Sequence, residues 1–447
     1  MNRTTAYLTI AAEIWAFGLT PLAIALGFSL AGPIAAAQFR IVDLEADVFE
    51  GLIASFLILL SIQFWPVPGQ HRRALSLLWL IRIGVTLGFM LPYEAYFGLD
   101  ASSFFIAGTH VNDSFRWFMF GNGTLNVIGI VGVLAKITTS YSAIKVIFSY
   151  AGLIAVYILY RAVTLALQRE NLAALYILGM FPSLLFWSSI LGKDPITLLG
   201  IAIFSYGAVG LIIGRGLNML VYVAVGMLIA SFIRIWLGAV FLTPLLAAVV
   251  LGGRLSVTLK VGFLVLTVPL FLAALQGFAD QFSLETTEDL VTRTDEISQS
   301  WARGGSAQQI KGGFSSLYEM ILFIPIGAFT ALFRPLPGEI MNVFGIMAGI
   351  ENAFLLALIV NGVRRRGLAW LSQPLLLWSV LTLGAWSAVY GFASYQNLGT
   401  AFRFHVQVVP LLLMVGLYLS FFSGVRLPHR RQPFLRVAST DGASGGA

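Results

Sequence analysis

Cysteine is missing from the 447-residue chain, and histidine occurs only four times, at positions 71, 110, 405 and 429. Without cysteine the chain can form neither disulfides nor thiolate metal sites, and it has no thiol nucleophile. The four histidines include no closely spaced pair, which argues against a zinc site built from imidazoles. The sequence therefore predicts no cofactor, while it leaves a divalent metal open.

Charge is scarce as well. Charged residues make up 11% of the chain, whereas a soluble domain carries about 25%. Hydrophobic residues make up 58%, the mean hydropathy is +0.88, and apolar runs of about 18–25 residues recur. The runs lack the polar–apolar alternation of barrel strands, so the spans should be helices. The fold class predicted is an all-α, polytopic transmembrane bundle.

The apolar runs predict about 12 spans, within a range of about 11–14. The predicted spans lie near 6–31, 48–66, 74–92, 143–165, 171–191, 196–213, 216–233, 236–253, 256–277, 339–362, 368–391 and 404–423. A further stretch at 124–138 should lie along the outer face. The stretch at 316–333 should be re-entrant or a broken helix, because Pro325 and Gly327 permit a break.

Basic clusters set the predicted orientation. "HRR" at 71–73, "RRR" at 364–366 and "RLPHRRQ" at 426–432 should be cytoplasmic, as should both termini. The acidic loop 40–50 and the long loop 93–123 should then lie outside. The net charge of +7 has the same topological explanation, since the basic residues are scattered between spans. We therefore expect membrane lipid as a partner and no nucleic acid.

Three regions follow from this pattern. Residues 1–73 should form an N-terminal transmembrane pair, 74–423 the larger transmembrane core, and 424–447 a disordered cytoplasmic tail. The first apolar run resembles a signal peptide followed by "AGPIAAAQ", but it is too long for that role and contains Glu13. We interpret it as a retained span.

Loop 93–123 contains the candidate catalytic acids. Asp100 follows "YEAYFGL", and Glu94 lies six residues before it. A carboxylate at the membrane surface can act as general base toward a sugar hydroxyl, and aromatic neighbours can stack on sugar faces. An ordinary interfacial loop with an aromatic belt is the alternative.

Single arginines mark the predicted outer side. Arg234, Arg334 and Arg403 each lie next to a short break between apolar segments, and His405 follows Arg403 by two residues. Guanidinium groups bind phosphate in bidentate fashion. Arginines near helix ends also snorkel to lipid headgroups. Three of them on one face favour an anionic ligand, such as a lipid phosphate or diphosphate.

The stretch "FWSSILGKDPITLL" at 186–199 contains the remaining candidate. Asp194 before Pro195 predicts a helix start, with Asp194 at the N-cap. Capping does not explain Lys193. The predicted topology places Lys193 outside, where charge bias does not favour lysine. We therefore expect Lys193 to contact phosphate beside the arginines.

Three longer stretches carry a family resemblance: "FPSLLFWSSILGKDPITLLGIAIFSYG" (181–207), "GGFSSLYEMILFIPIGAFTALFRPLPGE" (312–339) and "YQNLGTAFRFHVQVVPLLL" (395–413). Together they resemble bacterial multi-spanning proteins of surface-polysaccharide assembly. The broader resemblance is to the GT-C class of integral-membrane glycosyltransferases and the related O-antigen polymerases. It covers most of residues 74–423 and implies that this region is a GT-C-like transmembrane catalytic core.

This resemblance implies a function. Such enzymes transfer a sugar or oligosaccharide from a polyprenyl-(di)phosphate donor to a glycan or lipid-linked acceptor, at the outer face of the bacterial inner membrane. An acidic residue of the first long outer loop serves as base, which matches Asp100 best and Glu94 second. Basic residues hold the phosphate, as Arg334, Arg403 and Lys193 could. A polysaccharide-assembly complex is a possible partner.

The sequence departs from the family pattern in one respect. The family often has two acids in that loop that are adjacent or one residue apart, and loop 93–123 has no such pair. A flippase or transporter for a lipid-linked glycan is the main alternative, although it would call for pseudo-repeated halves, which the sequence lacks. A non-catalytic scaffold would not need the isolated outer arginines.

Overall fold

A computed structural model describes residues 3–98, 100–252, 285–302, 306–308, 313–367 and 369–421, together with scattered positions between 260 and 280. Within these residues the chain forms helices and no strands. The helices are α1 Arg3–Phe39, α2 Leu44–Gln63, α3 Gly69–Phe97, α4 Ala101–Thr109, α5 Gly123–Leu134, α6 Tyr141–Leu167, α7 Leu172–Met180, α8 Pro182–Trp187, α9 Lys193–Ile212, α10 Met219–Ile233, α11 Trp236–Gly252, α12 Thr287–Trp301, α13 Leu317–Phe333, α14 Val343–Arg366, α15 Pro374–Ser394, α16 Leu398–His405 and α17 Val409–Phe421. The all-α prediction is confirmed.

The predicted number of spans is too high. Six helices in the described part of the chain are long and apolar enough to cross a membrane, or seven if the bent pair α16 and α17 forms one span. Four apolar helices, α5, α10, α11 and α13, have only 10–17 residues, whereas a straight crossing needs about 20. Hydropathy shows that these segments are apolar, but it does not show that each helix ends before it is long enough to cross the membrane.

One further predicted span is wrong for another reason, and one lies largely outside the described residues. The run 171–191 is divided between α7 and α8, because Phe181 takes an extended backbone conformation before Pro182. The run 256–277 falls largely outside the described residues. The structure is therefore that of a multi-pass helical membrane protein with fewer complete crossings than predicted.

The bundle has two ends that are identified by side-chain contacts. At the first, Glu94 near the end of α3 pairs with Lys145 near the start of α6, and Lys193 at the start of α9 bonds Thr124 of α5. We call this the α4–α5 end. At the opposite end, His71 of α3 lies 3.2 Å from the Tyr160 hydroxyl of α6.

The N-terminal helices pack directly on the rest of the bundle. Gly27 of α1 lies against the Gly88 backbone of α3, so closely that a Cβ atom has no room there. Small residues allow such close helix approach inside membranes. Ala12, Ala16 and Ile62 belong to the same buried apolar cluster as the core helices.

Helix α13 is continuous, although Pro325 lies inside it. Its middle residue Gly327 packs against Gly391, near the C-terminal end of α15. Just past its own end, Arg334 bonds Gln308, whose backbone N–H donates to the Gln396 carbonyl. The predicted break in α13 is therefore not present, and a re-entrant path for this helix stays a prediction.

Candidate functional site

The turn between α8 and α9 positions the first site residues. Helix α9 begins at Lys193 and has Pro195 in its first turn, as the sequence predicts. The prediction that Asp194 caps this helix is wrong, because the N-cap residue is Gly192 and no side chain caps the helix. The Asp194 carboxylate is directed to two arginines from distant parts of the chain.

Asp194 is the centre of a buried ion-pair network. Its Oδ2 accepts a hydrogen bond from Arg403 Nε at 2.7 Å, and its Oδ1 lies 3.4 Å from Arg234 Nη2. The Asp194 side chain is 1% exposed, Arg234 6% and Arg403 16%. Buried charges must be paired to offset the cost of leaving water, and one carboxylate here serves both guanidiniums.

Aromatic rings hold the two guanidinium groups in place. Arg234 lies 4.2 Å from the ring centre of Phe404, and Arg403 lies 5.5 Å from that of Trp187. Such cation–π contacts contribute about 0.5–2 kcal/mol each, more when desolvated. Arg234 also donates to the Tyr390 hydroxyl at 3.3 Å.

Lys193 and Asp100 lie at the rim of this network. The Lys193 ammonium donates to Thr124 Oγ1 at 2.8 Å and lies over the Phe104 ring. It is within electrostatic range of both arginines and of Asp100 and Asp194. Asp100 Oδ2 is 3.8 Å from Arg403 Nη1, and the Asp100 side chain is 59% exposed. The Asp100 carboxylate is therefore accessible to a ligand that approaches from the surface of the protein.

We call these five residues the Asp194 cluster: Asp100, Lys193, Asp194, Arg234 and Arg403. Three cations face two carboxylates, which leaves one positive charge in excess. Four of the seven site residues predicted from the sequence belong to it. Such a site can bind an anion beside an exposed carboxylate.

Glu94 does not contact the Asp194 cluster. Its Oε2 lies 2.6 Å from the Lys145 ammonium, and the two side chains are 0% and 1% exposed. Asp47, on α2, is also near Lys145 and accepts a bond from the Ser142 N–H. Glu94 is therefore part of a closed ionic contact between α3 and α6, where a substrate hydroxyl cannot reach it.

Arg334 is held by a different partner set. Its Nε donates to Glu339 at 2.7 Å, and its Nη2 donates to Gln308. Desolvation raises the pKa of the Glu339 carboxyl, but hydrogen bonds from Arg334 and from the Leu336 N–H, with the Arg334 charge, bring that pKa below its ordinary value. Arg334 is thus engaged locally and makes no contact with the Asp194 cluster in the described part of the chain.

His405 is fully buried, and neither ring nitrogen has a hydrogen-bond partner among the described residues. It follows Arg403 and Phe404 on the short helix α16, so its ring packs on the inner side. Among all the described residues, no group of three or more His, Asp or Glu side chains could hold a metal ion.

Sequence reasoning missed Asp194, Trp187 and Tyr390 as site residues. A signal for Asp194 was present, because a carboxylate between two long apolar runs needs a basic partner. Trp187 and Tyr390 gave none, since aromatic residues are frequent throughout the chain.

Comparison with protein-family models, with curated proteins and with solved structures gave no significant match.

Proposed function

We propose that the protein is a membrane glycosyltransferase or polysaccharide polymerase. It transfers a sugar or oligosaccharide from a polyprenyl-(di)phosphate donor, at the outer face of a bacterial inner membrane, in surface-polysaccharide synthesis. One observation carries the proposal: Lys193, Arg234 and Arg403 converge around Asp194, with the exposed Asp100 beside them. A GT-C-like arrangement of the helices belongs to the same proposal.

The proposed step uses both parts of this cluster. The Asp100 carboxylate accepts the proton of an acceptor hydroxyl as the hydroxyl oxygen bonds to the anomeric carbon of the donor. The bond from that carbon to the phosphate oxygen breaks, and the phosphate departs with the electron pair. Asp100 then returns the proton to water.

The cations stabilise the phosphate as its charge develops. Lys193 and the outer nitrogens of Arg403 lie beside Asp100. In the proposed step they donate hydrogen bonds to the departing phosphate oxygen. Donors fixed in advance toward developing charge provide much of an enzyme's rate enhancement, and losing one costs about 100- to 1,000-fold in rate. Asp194 keeps both guanidiniums oriented without neutralising all three cations.

A flippase or transporter for a lipid-linked glycan is the second candidate. It would use the same cations to hold the phosphate and form no new bond. The position of the cluster favours the transferase, because its charged groups gather at the α4–α5 end instead of along a path through the bundle.

The test measures glycan transfer from a polyprenyl-linked donor by inserted, folded variants. Asp100→Asn should lower kcat by about 100-fold or more with little change in KM, because the base is lost and the donor site is kept. Arg403→Ala should lower kcat/KM by a similar factor. Asp113→Asn in the same loop is the matched control, since Asp113 pairs with the exposed Arg116 and, within the described residues, makes no ion pair with the Asp194 cluster.

Wild-type rates in both Asp100→Asn and Arg403→Ala would refute the assignment of this site. Arg334→Ala separates the sequence-based prediction from the structure. If Arg334 holds phosphate, its loss should resemble the loss of Arg403, whereas the observed pairing with Glu339 predicts a smaller effect on turnover.

A further inference from the structure

A second cluster of arginines surrounds a cavity at the opposite end of the bundle. Arg161 comes from α6, Arg169 from the loop after it, and Arg215 from the turn between α9 and α10. The cavity has a volume of about 320 Å³, and Glu170 and Tyr206 also line it. We call it the arginine pocket.

The charges in the arginine pocket do not cancel. Three guanidiniums face one carboxylate, an excess of two positive charges. Arg169 and Glu170 also line a neighbouring cavity, where Glu170 lies 3.6 Å from His71. Within the described residues, neither Arg161 nor Arg215 makes an ion pair with a carboxylate. Topological charge bias places arginines at this end but does not bring three of them around one cavity.

An apolar surface adjoins the pocket. Tyr206 packs on Tyr222 of α10 with ring centres 5.1 Å apart. Tyr222 is 43% exposed, and its neighbours Leu217 and Val221 are 47% and 63% exposed. A site that is cationic inside and apolar at its edge matches a ligand with an anionic head and an acyl chain.

We propose that the arginine pocket binds the phosphate of an anionic phospholipid headgroup. Arg161, Arg169 and Arg215 bind the phosphate oxygens, and the acyl chains lie along the exposed face of α10. The volume is at the lower end of the range for small-ligand sites, about 300–1,000 Å³, which suits one headgroup. The inference is independent of the proposed transferase activity, because the pocket lies at the other end of the bundle.

Native mass spectrometry of the full-length protein in detergent tests the proposal. Phosphatidylglycerol, zwitterionic phosphatidylcholine and inorganic diphosphate are titrated separately. We expect the wild type to retain phosphatidylglycerol at least about tenfold more strongly than phosphatidylcholine, a difference of about 1.4 kcal/mol. The variant Arg161→Gln/Arg215→Gln should lose this preference.

Two further variants keep the test sharp. Arg364→Gln/Arg365→Gln removes the same charge from the exposed end of α14 and should retain the lipid preference. Arg161→Lys/Arg215→Lys keeps the positive charge and should keep part of the preference for phosphatidylglycerol. Equal retention by the Arg161/Arg215 and Arg364/Arg365 glutamine variants would overturn the proposal. Saturation by inorganic diphosphate without retained lipid would overturn the lipid assignment.

Discussion

Asp194 joins two guanidiniums that come from 40 and 209 residues away in the chain. Because all three side chains are largely buried, each charge depends on the others for compensation. The same contact fixes α16 and the start of α11 against the turn before α9. At the residue scale, Asp194 therefore organises the proposed site without needing to touch a substrate.

Removing Asp194 should destabilise the protein. Asp194→Ala leaves Arg234 buried without a carboxylate among its described neighbours and leaves Arg403 with the exposed Asp100, 3.8 Å away. We expect a loss of about 3–5 kcal/mol in the free energy of unfolding. Asp113→Ala, which breaks an exposed pair with Arg116, should cost about 0–1 kcal/mol. Denaturation in mixed micelles measures both. Similar midpoints for the two variants would contradict the buried network.

Glu94 and Lys145 allow a double-variant test. Lys145→Met alone leaves the Glu94 carboxylate buried and uncompensated, so we expect a loss of about 3–5 kcal/mol. Adding Glu94→Leu should recover most of this loss, since replacing both charges by apolar side chains is often neutral. The double variant should keep transfer activity. Abolished transfer in a stable double variant would return Glu94 to the site as a catalytic candidate.

Much of the site could be predicted from charge placement. Arg234 and Arg403 stood out because charges close to the hydrocarbon are costly without a partner. Lys193 stood out because charge bias does not favour lysine on the predicted outer face, and Asp100 because it is a loop carboxylate beside aromatic residues. Arg334 has the same local pattern, but its partner Glu339 lies only five residues away. Sequence alone gave no way to separate local pairing from long-range convergence.

At the scale of elements, the sequence predicted where helices occur better than where they end. Loop 93–123 contains the end of α3 and the whole of α4 as well as irregular chain, and the predicted connection 278–313 contains α12. The start of α12 had a readable signal. Thr286 and Asp289 form a capping box, in which each side chain bonds the other's backbone N–H.

The capping box should set the stability of α12 locally. Thr286→Ala removes the bond to the Asp289 N–H, at a cost of about 0.5–2 kcal/mol. Hydrogen exchange of the α12 amides should then be about 2- to 30-fold faster, while exchange in α6 should be unchanged. Unchanged exchange in α12 would mean that packing on α15 alone holds the helix.

At the scale of the whole molecule, the fold separates two cationic regions. The Asp194 cluster lies at the α4–α5 end, and the arginine pocket lies at the other. Basic-loop topology predicts that the α4–α5 end is outside and the arginine pocket is cytoplasmic. Hydropathy could not show whether the number of membrane crossings is odd or even. Short apolar helices such as α13 are as hydrophobic as helices that cross the membrane.

The natural absence of cysteine permits a direct topology test. Asp113→Cys should react with a membrane-impermeant maleimide in intact cells. Arg365→Cys should react only after permeabilisation. Both side chains they replace are exposed, so access depends on the membrane alone. Labelling of Arg365→Cys in intact cells would reverse the orientation and place the Asp194 cluster inside.

Formation of a glycosidic bond by the purified protein tests the central claim most directly. Protein reconstituted in vesicles is given a radiolabelled polyprenyl-phosphate sugar donor and a lipid-linked acceptor, and the product is separated by chromatography. The transferase account predicts that label moves covalently to the acceptor, and that Asp100→Asn reduces this transfer by about 100-fold or more. Movement of intact donor across the bilayer with no labelled acceptor, equal in wild type and Asp100→Asn, would contradict it.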